Sequence, residues 1–256
     1  MEQIVSVGIV DSYFKKLKEN LTVDVAIVGG GPSGMVAAYY LARQGFKVSV
    51  YERKLAPGGG MWGGAMMFNE IVIQKEALPI LDELNISYKH YDKDYYTLDS
   101  VHATSALIYH ATQAGATFFN CTSVEDVVFL DNKVSGVVLN WAPVHREKMH
   151  VDPLVIMAKA VIDGTGHDCD IARILERKNN IQLLTASGKV EGERSLSIDE
   201  AERTTIENTK EIYPGLYVSG MASNGVSGGF RMGPIFGGML LSGKKVANLI
   251  ADNLNK

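Results

Sequence analysis

Cysteine is nearly absent from this chain of 256 residues. Cys121 and Cys169 are the only two, too few for a disulfide framework and in keeping with a reducing compartment. Excess positive charge is also missing. Lys and Arg number 25 against 29 Asp and Glu, a formal charge of −4, which excludes a broad basic surface for nucleic acid. No run of about 20 apolar residues is present to span a bilayer. The least charged stretch, 213–243, is interrupted by Gly, Ser, Asn and Pro and carries only Arg231. The N-terminus, with Glu2 followed by mixed residues, lacks the basic start and apolar centre of an export signal. The expectation is a soluble, cytoplasmic protein with no membrane or nucleic-acid partner.

What the chain has in excess is glycine, 26 residues gathered in a few short stretches. Hydrophobic residues make up 46% and charged residues 21%, enough apolar material for one large core. The coarse pattern alternates strands and helices. An amphipathic helix is expected over 10–17, a strand over 24–28, a helix over 32–44 and a second strand over 47–51. Further on come a helix over 99–114 with Val101, Ala106, Leu107 and His110 on one face, and a hairpin of 124–130 and 134–141 around Asp131, Asn132 and Lys133. Strands at 154–162 and 216–219 and a helix over 234–254 close the chain. No linker or repeat divides it. One α/β domain of residues 1–256, with a parallel or mixed sheet, helices on its faces and an inserted hairpin layer, is the simplest architecture.

The first motif is Gly29-Gly30-Gly31-Pro32-Ser33-Gly34, a Gly-x-Gly-x-x-Gly turn between a strand and a helix. The first glycine permits the tight turn, Gly31 lets a pyrophosphate approach the backbone, and Gly34 allows close helix–strand packing. The helix N-terminus then faces the negative charge. Glu52 ends the second strand eighteen residues past Gly34, placed for the ribose hydroxyls of an adenosine. Together these point to an adenine dinucleotide. The loop Gly58-Gly-Gly-Met-Trp-Gly-Gly64 would lie over the phosphates, as in flavoproteins of the two-dinucleotide-domain type. Those proteins end a late strand in Gly-Asp or Gly-Glu, whereas here Gly220 is followed by Met221. The missing acid argues against ordinary flavin redox chemistry.

A second constellation combines His150 and Asp152, two apart on an extended segment, with His167 after the strand that follows. Two histidines and a carboxylate with open positions suit Fe(II). Capping aspartates and a hydrogen-bonded histidine are the plainer reading of the same residues. Arg231, alone in an uncharged glycine-rich stretch, requires an anionic partner: a bound carboxylate or phosphate, or an acid of the core.

Taken together, residues 24–34, Asn140-Trp141, Asp152-Pro153, Gly164-Thr-Gly-His-Asp168 and Arg231-Met-Gly-Pro234 resemble the thiazole synthases of thiamin biosynthesis over nearly the whole chain. The resemblance implies a flavoprotein-like Rossmann fold in a ring-shaped homo-octamer, with sites shared between neighbouring subunits. It implies NAD as a substrate, converted with glycine and sulfur to an adenylated thiazole carboxylate as nicotinamide leaves. It further implies Gly31, Ser33, Glu52, Arg53, Gly60, Val124, His150, Val151, Asp152 and Met221 at the nucleotide, the 150–152 segment coming from a neighbour. Asp152 and His167 would ligate Fe(II), with His150 also in the catalytic set, and Arg231 would clamp the carboxylate of glycine. In eukaryotic members a cysteine that surrenders its own sulfur occupies the position matched by His150. The chain thus resembles the archaeal, sulfide-using, multiple-turnover form. Cys169 is the nearest thiol that could stand in as a donor. Alternatives of other classes are an FAD-dependent oxidoreductase of the same fold, an isomerase or synthase acting on phosphorylated pentoses, and a non-catalytic NAD-binding protein.

Overall fold

A computed structural model describes all residues, 1–256. Helix α1 (Glu2–Glu19) leads into β1 (Thr22–Val28), α2 (Pro32–Arg43) and β2 (Val48–Glu52). After the glycine-rich loop come β3 (Glu70–Gln74), α3 (Leu78–Glu83), β4 (Lys89–Asp92), β5 (Tyr95–Asp99) and α4 (Ser100–Gln113). The middle of the chain forms β6 (Thr117–Asn120), β7 (Thr122–Leu130), β8 (Lys133–Trp141), α5 (Ala142–Arg146), β9 (Leu154–Asp163) and α6 (Asp170–Lys178). The last part forms β10 (Arg194–Leu196), α7 (Ile198–Glu207), β11 (Lys210–Tyr213), β12 (Leu216–Val218), α8 (Met221–Ser227), β13 (Phe230–Arg231) and α9 (Gly237–Leu254).

The main sheet runs β11-β12-β9-β1-β2-β6, with β12, β9, β1, β2 and β6 mutually parallel and β11 antiparallel to β12. These strands are apolar nearly throughout because helices cover both faces: Val25 to Val28 and Val48 to Glu52 are all buried. One core gathers α2, α4 and α9 on one face, and the second gathers α6, α8 and the β7–β8 hairpin on the other. The topology is a Rossmann-type α/β fold with an added hairpin layer. Strand β9 joins the parts, since its first half pairs with β8 and its second half with β12, while β1 holds its other edge. A three-stranded antiparallel sheet β3-β5-β4 and a short parallel pair β10-β13 sit apart from it.

Several local expectations shift. The hairpin turn is Asp131-Asn132, both at positive φ (50° and 57°), so that Lys133 pairs with Leu130 and begins β8. Helix α4 is capped by Asp99, which accepts from the His102 N–H at 2.6 Å. Its buried face is Ala103, Thr104, Leu107 and Ala111. Val101 is 41% exposed, so the apolar stripe is rotated from the one expected, with small residues taking the close contacts against α2. The final helix begins at Gly237, because Ile235 first makes a bridge to Val72 and the Phe236 N–H donates to the Val72 carbonyl. Helix α1 starts eight residues earlier than expected and buries none of its residues. Ile4, Ile9 and Phe14 are 78%, 65% and 51% exposed. Its apolar residues surround the helix instead of forming one stripe, which is why periodicity missed its first half. No helix is long and apolar enough to cross a membrane.

Candidate functional site

The site begins at the turn from β1 to α2. Gly29 adopts φ +97°, and a Cβ at Gly34 would lie 2.3 Å from the Gly29 carbonyl oxygen, so α2 sits closer to the strand than any side chain allows. Gly31, by contrast, faces open space where a ligand can approach the protein backbone. The 57–64 loop closes over this turn: the Gly58 N–H donates to the Gly30 carbonyl at 2.6 Å, bringing Gly59 beside Gly31. Glu52 is buried. Its Oε2 accepts from the Gly30 N–H at 2.9 Å and its Oε1 from the Lys54 N–H at 2.8 Å. The carboxylate is therefore fixed at the end of β2 with its remaining lone pairs available to a ligand.

Around this turn opens a pocket of about 830 Å³, at the upper end of the ~300–1,000 Å³ usual for ligand sites. Gly31, Ser33, Glu52, Arg53, Gly60, Val124, His167 and Met221 all line it. It lies outside the carboxyl ends of parallel strands, where open α/β sheets bind ligands. Ser33 is buried at the N-terminus of α2, its Oγ accepting from Ser219 Oγ at 3.3 Å. Met221 opens α8 directly after β12 and is buried, so no carboxylate occupies the place where flavoproteins of this type carry one. The size, the open glycine and the fixed acid fit an adenine dinucleotide.

Asp163, the last residue of β9, is wholly buried. Its Oδ1 accepts from the Thr165 N–H (3.0 Å) and hydroxyl (2.6 Å), and its Oδ2 from the Ile171 and Ala172 N–H groups (3.1 and 3.0 Å). Burial raises its carboxyl above the ordinary aspartate range, with the bonds from the Thr165 hydroxyl and from the Ala172 and Thr165 N–H groups acting in the opposite direction. The carboxylate ties the sheet to the start of α6 and so shapes the intervening turn, 164–168, that carries His167. The His167 ring is half exposed and its Nδ1 lies 2.6 Å from Glu193 Oε1.

Arg53 extends over the pocket mouth and pairs with Asp168 (3.2 Å) and Asp170 (3.4 Å). Beyond it, Glu125, His145, Arg173 and Arg177 form the outer wall. None of these four, nor Glu193, was singled out from the sequence. Glu125 reaches the pocket because the β7–β8 register shifts between Val124 and Asp126, leaving it unpaired. Local spacing carries no sign of such a bulge.

The remaining expected residues do not join the pocket within one chain. His150, Val151 and Asp152 are exposed in the segment between α5 and β9, and Arg231 is exposed on β13. The Arg231 side chain is exposed although Met232, Ile235 and Phe236 beside it are buried, and it has no acid of the core as a partner. No three His, Cys, Asp or Glu side chains converge to hold a metal. His167 shares the pocket lining with His145, Glu125, Asp168 and Asp170, but no three of these donors meet at one point. Cys169 is wholly buried beneath α8, with its Sγ near the Gly166, His167 and Ala222 carbonyls, and burial pushes its thiol up. An inaccessible thiol held protonated is a packing group, not a sulfur donor. Cys121 does not line the pocket.

Comparison with known proteins places this geometry. A model of the Thi4 family matches residues 6–236. A thiamine thiazole synthase of Desulfosudis oleivorans is 55% identical over 253 residues, 99% of this chain and 98% of that protein. One of Methanothermobacter thermautotrophicus is 54% identical, covering 98% and 97% of the two chains. The crystal structure of Thermovibrio ammonificans THI4 superposes with a TM-score of 0.97 at 49% identity, covering 100% of this chain and 99% of that one.

Proposed function

The chain belongs to the Thi4 family, and from that premise we propose that, within thiamin biosynthesis, it converts NAD, glycine and sulfide into an adenylated thiazole carboxylate, with release of nicotinamide. The observation that carries this reading is a single pocket in which a dinucleotide turn faces His167, with no usable thiol. Sulfur must then come from solution, and an enzyme that is not consumed as donor can turn over repeatedly. His150, at the position matched to the sulfur-giving cysteine, has no sulfur to give.

In this reading the pyrophosphate lies on Gly31, Ser33 and Gly60, and Glu52 and Arg53 hold the adenosine ribose. Val124 and Met221 contact the nucleotide through the backbone. Arg231 clamps the carboxylate of glycine. His150, Val151 and Asp152 enter from a neighbouring copy in a homo-octamer. The exposed apolar groups of that segment (Met149 57%, Val151 45%, Val155 46%) and of α1 suit burial between copies. Fe(II) held by His167 and a neighbour's Asp152 would supply a Lewis acid with positions open to sulfide. The chain's own pocket groups bind and orient the nucleotide.

The test begins with the nucleotide. The purified protein is incubated with NAD and glycine, and separately with FAD. Release of nicotinamide from NAD with no retained yellow flavin is expected. Tight FAD binding with NAD left intact would overturn the proposal in favour of a flavin oxidoreductase.

A further inference from the structure

Glu193 lies 26 residues beyond His167 in an irregular run before β10, yet its carboxylate reaches His167 Nδ1 at 2.6 Å. Its backbone is stitched down on both sides. The Glu191 N–H donates to the Val226 carbonyl (3.0 Å), the Gly192 N–H to Gly225 (2.9 Å) and the Arg194 N–H to Gly229 (2.9 Å). The Arg194 guanidinium lies over the Phe230 ring at 4.7 Å, securing the next residue as well. Gly225 lets the parts meet: a Cβ there would fall 2.3 Å from Cys169 Sγ and 3.7 Å from Glu193 Cγ. The Glu193 side chain is 16% exposed, and its one ionic partner is His167. A carboxylate so placed accepts a proton-bearing Nδ1, which leaves the lone pair of the neutral ring on Nε2.

We propose that Glu193 is a positioning residue for the metal centre: it holds His167 as the Nδ1–H tautomer and aims Nε2 into the pocket as the ligating nitrogen. The inference rests on the proposed role of His167 as a ligand. Carboxylates behind ligating histidines fix the ring and raise its basicity, and losing one weakens metal binding roughly 10- to 100-fold. Glutamine at this position keeps an acceptor oxygen without the charge, so it retains the tautomer and part of the affinity. Alanine leaves nothing to hold Nδ1.

The experiment uses the full-length assembled protein and anaerobic Fe(II) titration by calorimetry, with NAD binding as the control. Glu193→Ala should weaken Fe(II) binding roughly 10- to 100-fold and leave NAD affinity at the wild-type value, with Glu193→Gln in between. The ¹⁵N spectrum of metal-free, histidine-labelled protein should show His167 as Nδ1–H in the wild type and in Glu193→Gln, and as a tautomer mixture in Glu193→Ala. Wild-type Fe(II) affinity in Glu193→Ala, or an unchanged tautomer, overturns the inference. His167→Ala separates the two levels. If it retains Fe(II), the ligand assignment itself fails. If it loses Fe(II) while Glu193→Ala does not, only the role of Glu193 fails.

Discussion

Replacing Asp163 with Asn tests whether the buried end of β9 is held as a carboxylate. All four groups around it donate, two to each oxygen. An amide must turn its NH₂ toward one pair. Facing Ile171 and Ala172, it would orphan two buried N–H groups at about 1–3 kcal/mol each. Facing Thr165 is cheaper, because the hydroxyl can rotate and accept, and about 1–3 kcal/mol is lost on the Thr165 N–H alone. The two surviving bonds also lose their charge assistance, roughly 1 kcal/mol each. The sum is about 3–5 kcal/mol. At roughly 2–4 °C per kcal/mol for a chain of this size, the melting temperature should fall by about 10 °C. Circular dichroism melting at pH 7 reads this directly. A shift within about 2 °C, of the order of a surface substitution, would refute the reasoning. It would mean that burial has already protonated the group, for which an amide is a near-isostere donating to the Thr165 hydroxyl.

Glu52→Gln sets an amide N–H against the Gly30 or Lys54 N–H, costing about 1.5–3 kcal/mol of a charge-assisted bond. NAD affinity should fall at least tenfold by calorimetry, and an unchanged value would remove Glu52 from the nucleotide site. Gly34→Ala should gain about 1 kcal/mol of helix propensity but drive a Cβ into the Gly29 carbonyl at 2.3 Å. The overlap, at about 1–3 kcal/mol, should win, lowering both the melting temperature and NAD binding; a more stable variant would contradict the packing. Glu202 is buried, accepts from Gln74 Nε2 and from the Gly238 N–H, and has an unpartnered Oε1, and burial raises its carboxyl above the ordinary range. The folded chain thus keeps a proton that the unfolded chain releases, so stability falls as pH rises from the ordinary glutamate value toward the raised one. Glu202→Gln should abolish that fall and melt higher at pH 7 to 8, and an unaltered pH profile would sink the assignment. Arg231→Ala should raise the glycine requirement far more than the NAD requirement in steady-state kinetics, and equal effects would remove it from the carboxylate.

The half of the pocket built on the β1–α2 turn was legible because its parts lie close in sequence and each has a local physical signature. Gly29, Gly31 and Gly34 mark a strand–turn–helix, Glu52 ends the adjacent strand, and Met221 shows an acid missing. The rest depends on contacts no local spacing encodes. Glu193 meets His167 across an irregular loop, and Glu125 reaches the pocket through a register shift in β7. Arg173 and Arg177 look like ordinary solvated residues of α6 until the hairpin folds beside them. Arg231 was expected to need an anionic partner because charge is scarce around it, but its side chain leaves the buried stretch for solvent, a direction that composition does not encode. The first half of α1 hid for a related reason: its apolar residues share no face, and within one chain they pack on nothing.

The most direct measurement of the central proposal is anaerobic reconstitution. The protein is incubated with NAD, glycine, Fe(II) and ³⁴S-labelled sulfide, and the small molecules are resolved by mass spectrometry. The account predicts an adenylated thiazole carboxylate that carries the heavy sulfur and accumulates beyond one molecule per chain. Unlabelled thiazole stopping at one per chain would contradict the sulfide-fed cycle, and NAD recovered intact would contradict the proposed reaction as a whole.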